Sequence, residues 1–148
     1  TQFNGFISAL DIFKTSLEVL NVNDELMVNA DGKNIMNYLN DNIIQNENLF
    51  WRKDKMATVR SGNYKLVRLN DTSTVLYNIE NNFFEDLDLK LIEPLIHDSL
   101  FKVLSAWEHR LIDPNWIENK DWNIVTEMIY EDLMANKNIR AVSPKDLN

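Results

Sequence analysis

The 148-residue chain contains no cysteine. This excludes disulfide staples, thiolate zinc sites, iron–sulfur clusters and a cysteine nucleophile from the polypeptide. Glycine is scarce, and Gly5, Gly32 and Gly62 stand too far apart to form a phosphate-cradling loop. Apolar runs are short, Leu49 to Trp51 being typical, against the roughly 20 apolar residues a spanning helix needs. No contact with a membrane is therefore expected. Positive charge is in deficit: 15 Lys and Arg against 23 Asp and Glu leave a net charge of −8. Nucleic acid is not an expected partner, because neutralising phosphates requires a basic footprint. Histidine occurs only at His97 and His109, too far apart along one helix to share a metal ion. Glu85, Asp86 and Asp88 form an acidic knot without the glycine and spacing of a calcium loop.

What is present suits a globular α+β chain with 45% apolar residues, long enough to bury a core. Its charge is uneven. Arg52, Lys53, Lys55, Arg60, Lys65 and Arg68 are opposed locally only by Asp54. Such a basic island faces either an anionic ligand or, more commonly, solvent on a sheet whose charges discourage strand aggregation.

Ser8 to Leu20 reads as a helix capped by Ser8, with Asp11 in its first turn and Leu10, Phe13, Leu17 and Leu20 on one stripe. A polar connector, Asn21 to Asn29, leads to the turn signal Ala30-Asp31-Gly32, a short helical turn over Ile35 to Leu39, and a loop over Asn40 to Asn48. From Asn48 to Ile79 the period becomes two, with Ala57, Val59, Leu66, Val75, Tyr77 and Ile79 as the inward set. Four strands in a meander follow, with turns at Ser61-Gly62-Asn63 and Asn70-Asp71-Thr72-Ser73. A long helix starts at Glu93-Pro94 and runs to about Leu111, its stripe marked by Ile96, Leu100, Val103, Trp107 and Leu111. A second covers Val125 to Met134, and the tail from Asn136 carries no strong signal of order.

Trp51 beside Arg52 is a candidate sugar-binding pair, since an aromatic face with a guanidinium suits a sugar bearing an anionic group. The competing reading makes Trp51 strand core. Trp107 belongs to its helix stripe, whereas Trp116 and Trp122 are expected to pack the tail onto the body.

Taken in order, four motifs resemble the carboxyl-terminal part of an arylsulfatase-type, formylglycine-dependent sulfatase, over about residues 1 to 116. Ser8-Ala9-Leu10-Asp11-Ile12-Phe13-Lys14-Thr15 resembles S-x-x-D-x-x-P-T, and Asp31-Gly32-Lys33-Asn34-Ile35-Met36-Asn37-Tyr38-Leu39 resembles D-G-x-x-L-x-P-x-L. Leu49-Phe50-Trp51-Arg52 and the run Ala57 to Arg68 are similar to the L-x-W and A-V-R-x-G-x-W-K-L-I-R strands. Leu76-Tyr77-Asn78-Ile79, with Glu85 and Asp88-Leu89, resembles L-Y-N-L-x-x-D-P-x-E-x-x-N-L, followed by a helix ending in Trp107 and then Pro114-Asn115-Trp116. Lys14, Asn37 and Phe83 replace family prolines and Tyr64 a tryptophan, which alters turn preorganisation and no chemistry.

The resemblance implies a small four-stranded antiparallel sheet packed by a long helix, preceded by the last helix of a missing α/β core. Residues 1–45 would be that helix and its linker, 46–116 the sheet subdomain and 117–148 a helical tail. It implies sulfate-ester hydrolysis in the complete enzyme, with calcium and formylglycine as cofactors and export to the periplasm or outside. The formylglycine motif, metal ligands and catalytic lysine and histidine of the family lie upstream of Ser8, so neither catalytic nor metal-binding residues are expected in this chain, and it should be inert alone. Its implied partners are the missing catalytic domain of the same protein and a sulfated small molecule or glycan. Substrate contact is expected along Leu49 to Lys55, with Trp51 stacking and Arg52 or Lys55 pairing with the anion. The amphipathic helix after Ser8 would cover the core of the missing domain and needs another partner without it. Two other readings stand beside this one: an acidic stand-alone or immunity-type module that captures a basic partner, and a degenerate sulfatase-like protein kept for sugar binding.

Overall fold

A computed structural model describes residues 5–22, 30–41, 48–53, 55–70, 73–113, 115–116 and 118–147. The connector expected over Asn21–Asn29 and the loop over Asn40–Asn48 lie largely outside the described residues, as do Asp54, Asp71, Thr72 and Pro114. The chain divides into two compact units, Thr1–Leu49 and Phe50–Asn148.

In the first unit, helix α1 spans Ala9–Val19 and helix α2 Ile35–Asp41, which runs past the expected end at Leu39. Ser8 caps α1 from an extended conformation: its hydroxyl accepts from the Leu10 amide at 3.3 Å, and Asp11 Oδ2 accepts from the Ser8 amide at 2.7 Å. This reciprocal box satisfies donors that a helix start leaves orphaned. Asp11 Oδ1 accepts in addition from the Lys33 amide at 2.8 Å. Thr15 Oγ1 donates to the Asp11 carbonyl at 2.6 Å and accepts from the Ile35 amide at 2.9 Å, tying α2 to α1. Gly32 sits between them at φ 90°, where a Cβ would lie 2.4 Å from the Leu10 carbonyl oxygen, so only glycine fits. The residue α1 buries is thus Asp11, at 8% exposure, while Leu10 (57%), Phe13 (53%) and Leu20 (71%) of its apolar stripe stand exposed.

The second unit holds an antiparallel meander in the order β1-β2-β3-β4: Leu49–Lys53, Met56–Ser61, Tyr64–Arg68 and Thr74–Asn78. Ser61 pairs with Tyr64 across a two-residue turn in which Gly62 takes φ 54°. Val59, Leu66 and Leu76 lie directly opposite one another and pack with Ala57 against Leu100 and Leu104 of helix α3, Pro94–Glu108. Pro94 occupies the first turn of α3, where its missing N–H costs nothing. The helix ends at Glu108 rather than Leu111, and its most buried residues are Leu100 and Leu104, the latter absent from the expected stripe.

Two inward assignments on β4 are overturned. Register places Leu76, not Val75 and Tyr77, on the face toward α3. Val75 and Tyr77 are buried on the other face. With three consecutive residues buried, β4 has no alternation for a sequence pattern to display. The chain after β4 turns at Asn82 to Glu85, Glu85 taking φ 54°, and returns along the strand. The Leu76 amide donates to Asp88 Oδ1 at 3.0 Å and the Leu89 amide to the Leu76 carbonyl at 2.7 Å.

Helix α4, Lys120–Met134, starts before the expected Val125 because Asn119 caps it, accepting from the Asp121 amide at 2.9 Å. The tail beyond it is folded, contrary to expectation. Asp132 is buried and accepts from the Arg140 amide at 2.9 Å and from its Nε at 2.8 Å; Ala141 is buried as well. Ser143 and Asp146 close a second capping box around a 3₁₀ turn, Pro144–Asp146. A few specific polar bonds hold this tail, and apolar periodicity does not report such bonds.

Candidate functional site

Strand β1 orders the candidate site residues. Neighbouring side chains on a strand point to opposite faces, and Phe50 takes the α3 side, stacking on Trp107 with ring centroids 4.9 Å apart. Arg52 shares that parity, and its guanidinium donates to the Ile112 carbonyl at 2.8 Å, just beyond α3. Trp51 and Lys53 fall on the opposite face; Trp51 is 53% exposed. Trp51 and Arg52, adjacent in sequence, therefore do not present one surface. The aromatic platform shares its face with Lys53.

Beyond Lys53, the turn from β1 to β2 and the first half of α4 enclose a pocket of about 260 Å³. Its apolar walls include Met56, Leu69 and Ile124, and its rim carries Lys53, Lys55 and Lys120. Glu118 pairs with Lys53 at 3.4 Å. Glu127 accepts from Asn70 Nδ2 at 3.0 Å. Among the described residues, Lys55 and Lys120 have no ion-pair partner. Lys53 lies inside the Leu49 to Lys55 segment expected to meet substrate but was not singled out there, and Lys120 was missing altogether. The alternation of β1 pointed to Lys53, whereas only the fold brings Lys120 alongside.

The rest of the basic island is spent internally. Arg68, expected on a solvated face, lies on the α3 side in a two-pronged pair with Glu108, both contacts 2.7 Å, and also donates to the Lys55 carbonyl at 3.1 Å. Lys65 binds both carboxylate oxygens of Glu85 at 2.8 Å. Arg60 Nε donates to the Gly62 carbonyl at 3.4 Å. Lys55 is left as an exposed member of the island.

A second, more open groove of about 590 Å³ runs between β4 and the end of α4, lined by Thr74, Asp88, Lys90, Glu131, Lys137 and Arg140 among others. Its charges are largely matched: Lys90 lies 3.2 Å from Asp88, and Arg140 pairs with Asp132 and Glu131. The Arg140 guanidinium holds the Asp132 carboxyl below the usual carboxylate range. Tyr77, on the face toward Glu85, is pushed up to about 12 by burial and by the charges of Glu85 and Asp88.

The acidic knot does not form a metal centre: Glu85 is engaged by Lys65, and Asp88 by the Leu76 and Lys90 amides and the Lys90 ammonium. Among the described residues no group of three or more His, Asp or Glu is placed to hold a metal ion. His97 lies 3.0 Å from Thr74 Oγ1 and 3.1 Å from Asp98, stacked near Phe101. His109 Nδ1 lies 2.7 Å from the Ser105 carbonyl. Trp116, expected to pack the tail, is instead 87% exposed, and Trp122 is exposed too. No helix among the described residues is long and apolar enough to cross a membrane.

No protein-family model and no curated protein matches the chain. Among solved structures it is similar to Ps i-CgsB in complex with k-i-k-neocarrahexaose, with a TM-score of 0.65 and 19% identity over 92% of this chain and 32% of that one. It is also similar to a second structure of Ps i-CgsB, with a TM-score of 0.66 and 21% identity over 88% of this chain and 31% of that one. Ps i-CgsB is, by its name, a carrageenan sulfatase. At this identity the likeness establishes the α+β fold. The chain spans about a third of the length of the neighbour it matches.

Proposed function

We propose that this chain is the carboxyl-terminal part of a sulfatase that hydrolyses sulfate esters of a glycan, and that it walls one side of the substrate cleft. The observation that carries the reading is the joining of the first two motifs. Asp11 and Thr15 of one bind the Lys33 and Ile35 amides of the other, with Gly32 at a backbone position that accepts no side chain. That two motifs resembling one family's, in its order, also meet in space supports a shared architecture. The fold likeness to Ps i-CgsB supports the same reading, and the neocarrahexaose bound to that protein favours a sulfated glycan over an aryl ester.

In this reading residues 1–45 complete an α/β core, 46–116 form the sheet subdomain and 117–148 the helical tail. The remainder of the polypeptide supplies formylglycine and calcium, and the enzyme works in the periplasm or outside the cell. The exposed stripe of Leu10, Phe13 and Leu20 is the surface that the catalytic part covers. Trp51, Arg52 and Lys55 serve substrate binding: Trp51 stacks on a sugar, Lys55 pairs with an anion, and Arg52 holds the strand to the Ile112 segment.

The test is sulfate release by the native polypeptide, captured from its source with an antibody to this chain. Release of inorganic sulfate from sulfated galactan oligosaccharides is expected, with Lys55→Ala in the complete enzyme lowering kcat/KM about tenfold. Absence of release from sulfated glycans and aryl sulfates alike contradicts the proposal.

A further inference from the structure

The pocket between the β1–β2 turn and α4 is lined by three lysines, Lys53, Lys55 and Lys120, against Glu118 and Glu127, a small positive excess on a chain of net charge −8. Lys53 is held by Glu118, while Lys55 and Lys120 have no ion-pair partner among the described residues. Two free ammonium groups on the rim of a partly apolar cavity favour a compact, permanently ionised group with several acceptor oxygens. A sulfate ester meets that description. Lysine suits it as a mobile point charge, whereas a planar carboxylate is better matched by arginine. Trp51 extends the site: it shares a strand face with Lys53, and two residues along a strand cover about 7 Å, roughly one sugar unit.

We propose that this pocket is a recognition subsite for a non-reacting sulfate of a multiply sulfated oligosaccharide. Lys55 and Lys120 hold the sulfate, and the adjoining sugar ring lies on Trp51. The assignment rests on the sulfatase reading and deepens it by naming the substrate as a chain with more than one sulfate. One sulfate meets the chemistry elsewhere in the enzyme while another sets the register of the chain here. Glu118 acts as a built-in competitor, since it occupies Lys53.

The 148-residue chain can be titrated calorimetrically with a sulfated galactan hexasaccharide, with the same hexasaccharide after chemical desulfation, and with inorganic sulfate alone. The sulfated sugar is expected to bind, to perturb tryptophan fluorescence and to weaken as salt rises. The desulfated sugar should bind at least tenfold more weakly. Lys55→Ala and Lys120→Ala should each raise Kd about tenfold, and Trp51→Ala should remove the advantage of the sugar over inorganic sulfate. Glu118→Gln, which frees Lys53, should tighten binding several-fold, an effect that damage to the fold does not produce. Circular dichroism checks each variant.

Equal binding of sulfated and desulfated sugar, or indifference to both lysine substitutions, overturns the proposal. Absence of binding overturns it too, and if the native polypeptide nevertheless carries formylglycine and releases sulfate, the sulfatase reading survives that failure. Binding as described by a chain whose native form lacks formylglycine supports the subsite and removes the enzyme.

Discussion

Asp11 Oδ1 accepts a hydrogen bond from the Lys33 amide at 2.8 Å, while its other oxygen caps α1 through the Ser8 amide at 2.7 Å. One carboxylate thus starts a helix and fixes the turn that leads to the next. Buried at 8% exposure, it leaves its donors unsatisfied if removed.

Asp11→Ala should therefore destabilise the first unit by about 1–3 kcal/mol, and Asp11→Asn by less, since the amide retains one acceptor. Amide exchange should quicken across residues 9–19 and 33–41 and stay unchanged in β2 and β3. Gly32→Ala should give the same pattern, because its Cβ meets the Leu10 carbonyl at φ 90°. Equal acceleration throughout the second unit contradicts this assignment.

Arg68 and Glu108 join β3 to the last turn of α3 with little exposure on either side chain. Removing one partner strands the other, so Glu108→Ala should cost about 3–5 kcal/mol in chemical unfolding. The double change Arg68→Met with Glu108→Leu should recover most of that loss, since the penalty lies in the unpaired charge.

Acid should loosen the tail first. Arg140 lowers the pKa of Asp132, and the Val142 and Ser143 amides lower that of Asp146. A carboxyl depressed in the folded state contributes stability that is full above its unfolded pKa and is lost as pH falls through the folded value. Exchange protection over residues 136–146 should accordingly fall below about pH 4, before β2 and β3 respond, and Asp132→Asn should weaken the tail already at neutral pH. At the alkaline end the sign reverses: Tyr77, raised to about 12, stays protonated when its unfolded counterpart ionises, so stability should decline from pH 10 upward. Absorbance at 295 nm should show one tyrosine ionising later than the ordinary phenol.

The exposed stripe of α1 separates the chain from the complete protein. Phe13→Lys should leave the melting of this chain within about 0.5 kcal/mol of the parent, because Phe13 is half exposed. The same change in the full-length polypeptide should reduce its soluble yield. A large loss in the short chain shows that the stripe already has a partner here.

Legibility followed the physics of each element. Ser8, Asp11 and Gly32 announced their roles because capping and positive φ restrict residue choice to a few types. The four strands were readable where one face is buried, as at Val59 and Leu66, and misread at Val75 to Tyr77, where both faces are. Trp51 and Arg52 looked like a pair because they are adjacent in sequence; the pleat separates them and gives Trp51 the company of Lys53. Lys120 was invisible, since nothing local ties the start of α4 to the β1–β2 turn. The tail was misread because the few polar bonds that order it, chiefly those between Asp132 and Arg140, have no period to detect.

The most direct test of the central claim is the intact mass of the native polypeptide, captured with an antibody to this chain and followed by peptide mapping. The account predicts a mass several times 17.4 kDa and an upstream peptide in which cysteine or serine has become formylglycine. A native mass near 17.4 kDa, or a longer polypeptide without formylglycine, contradicts it.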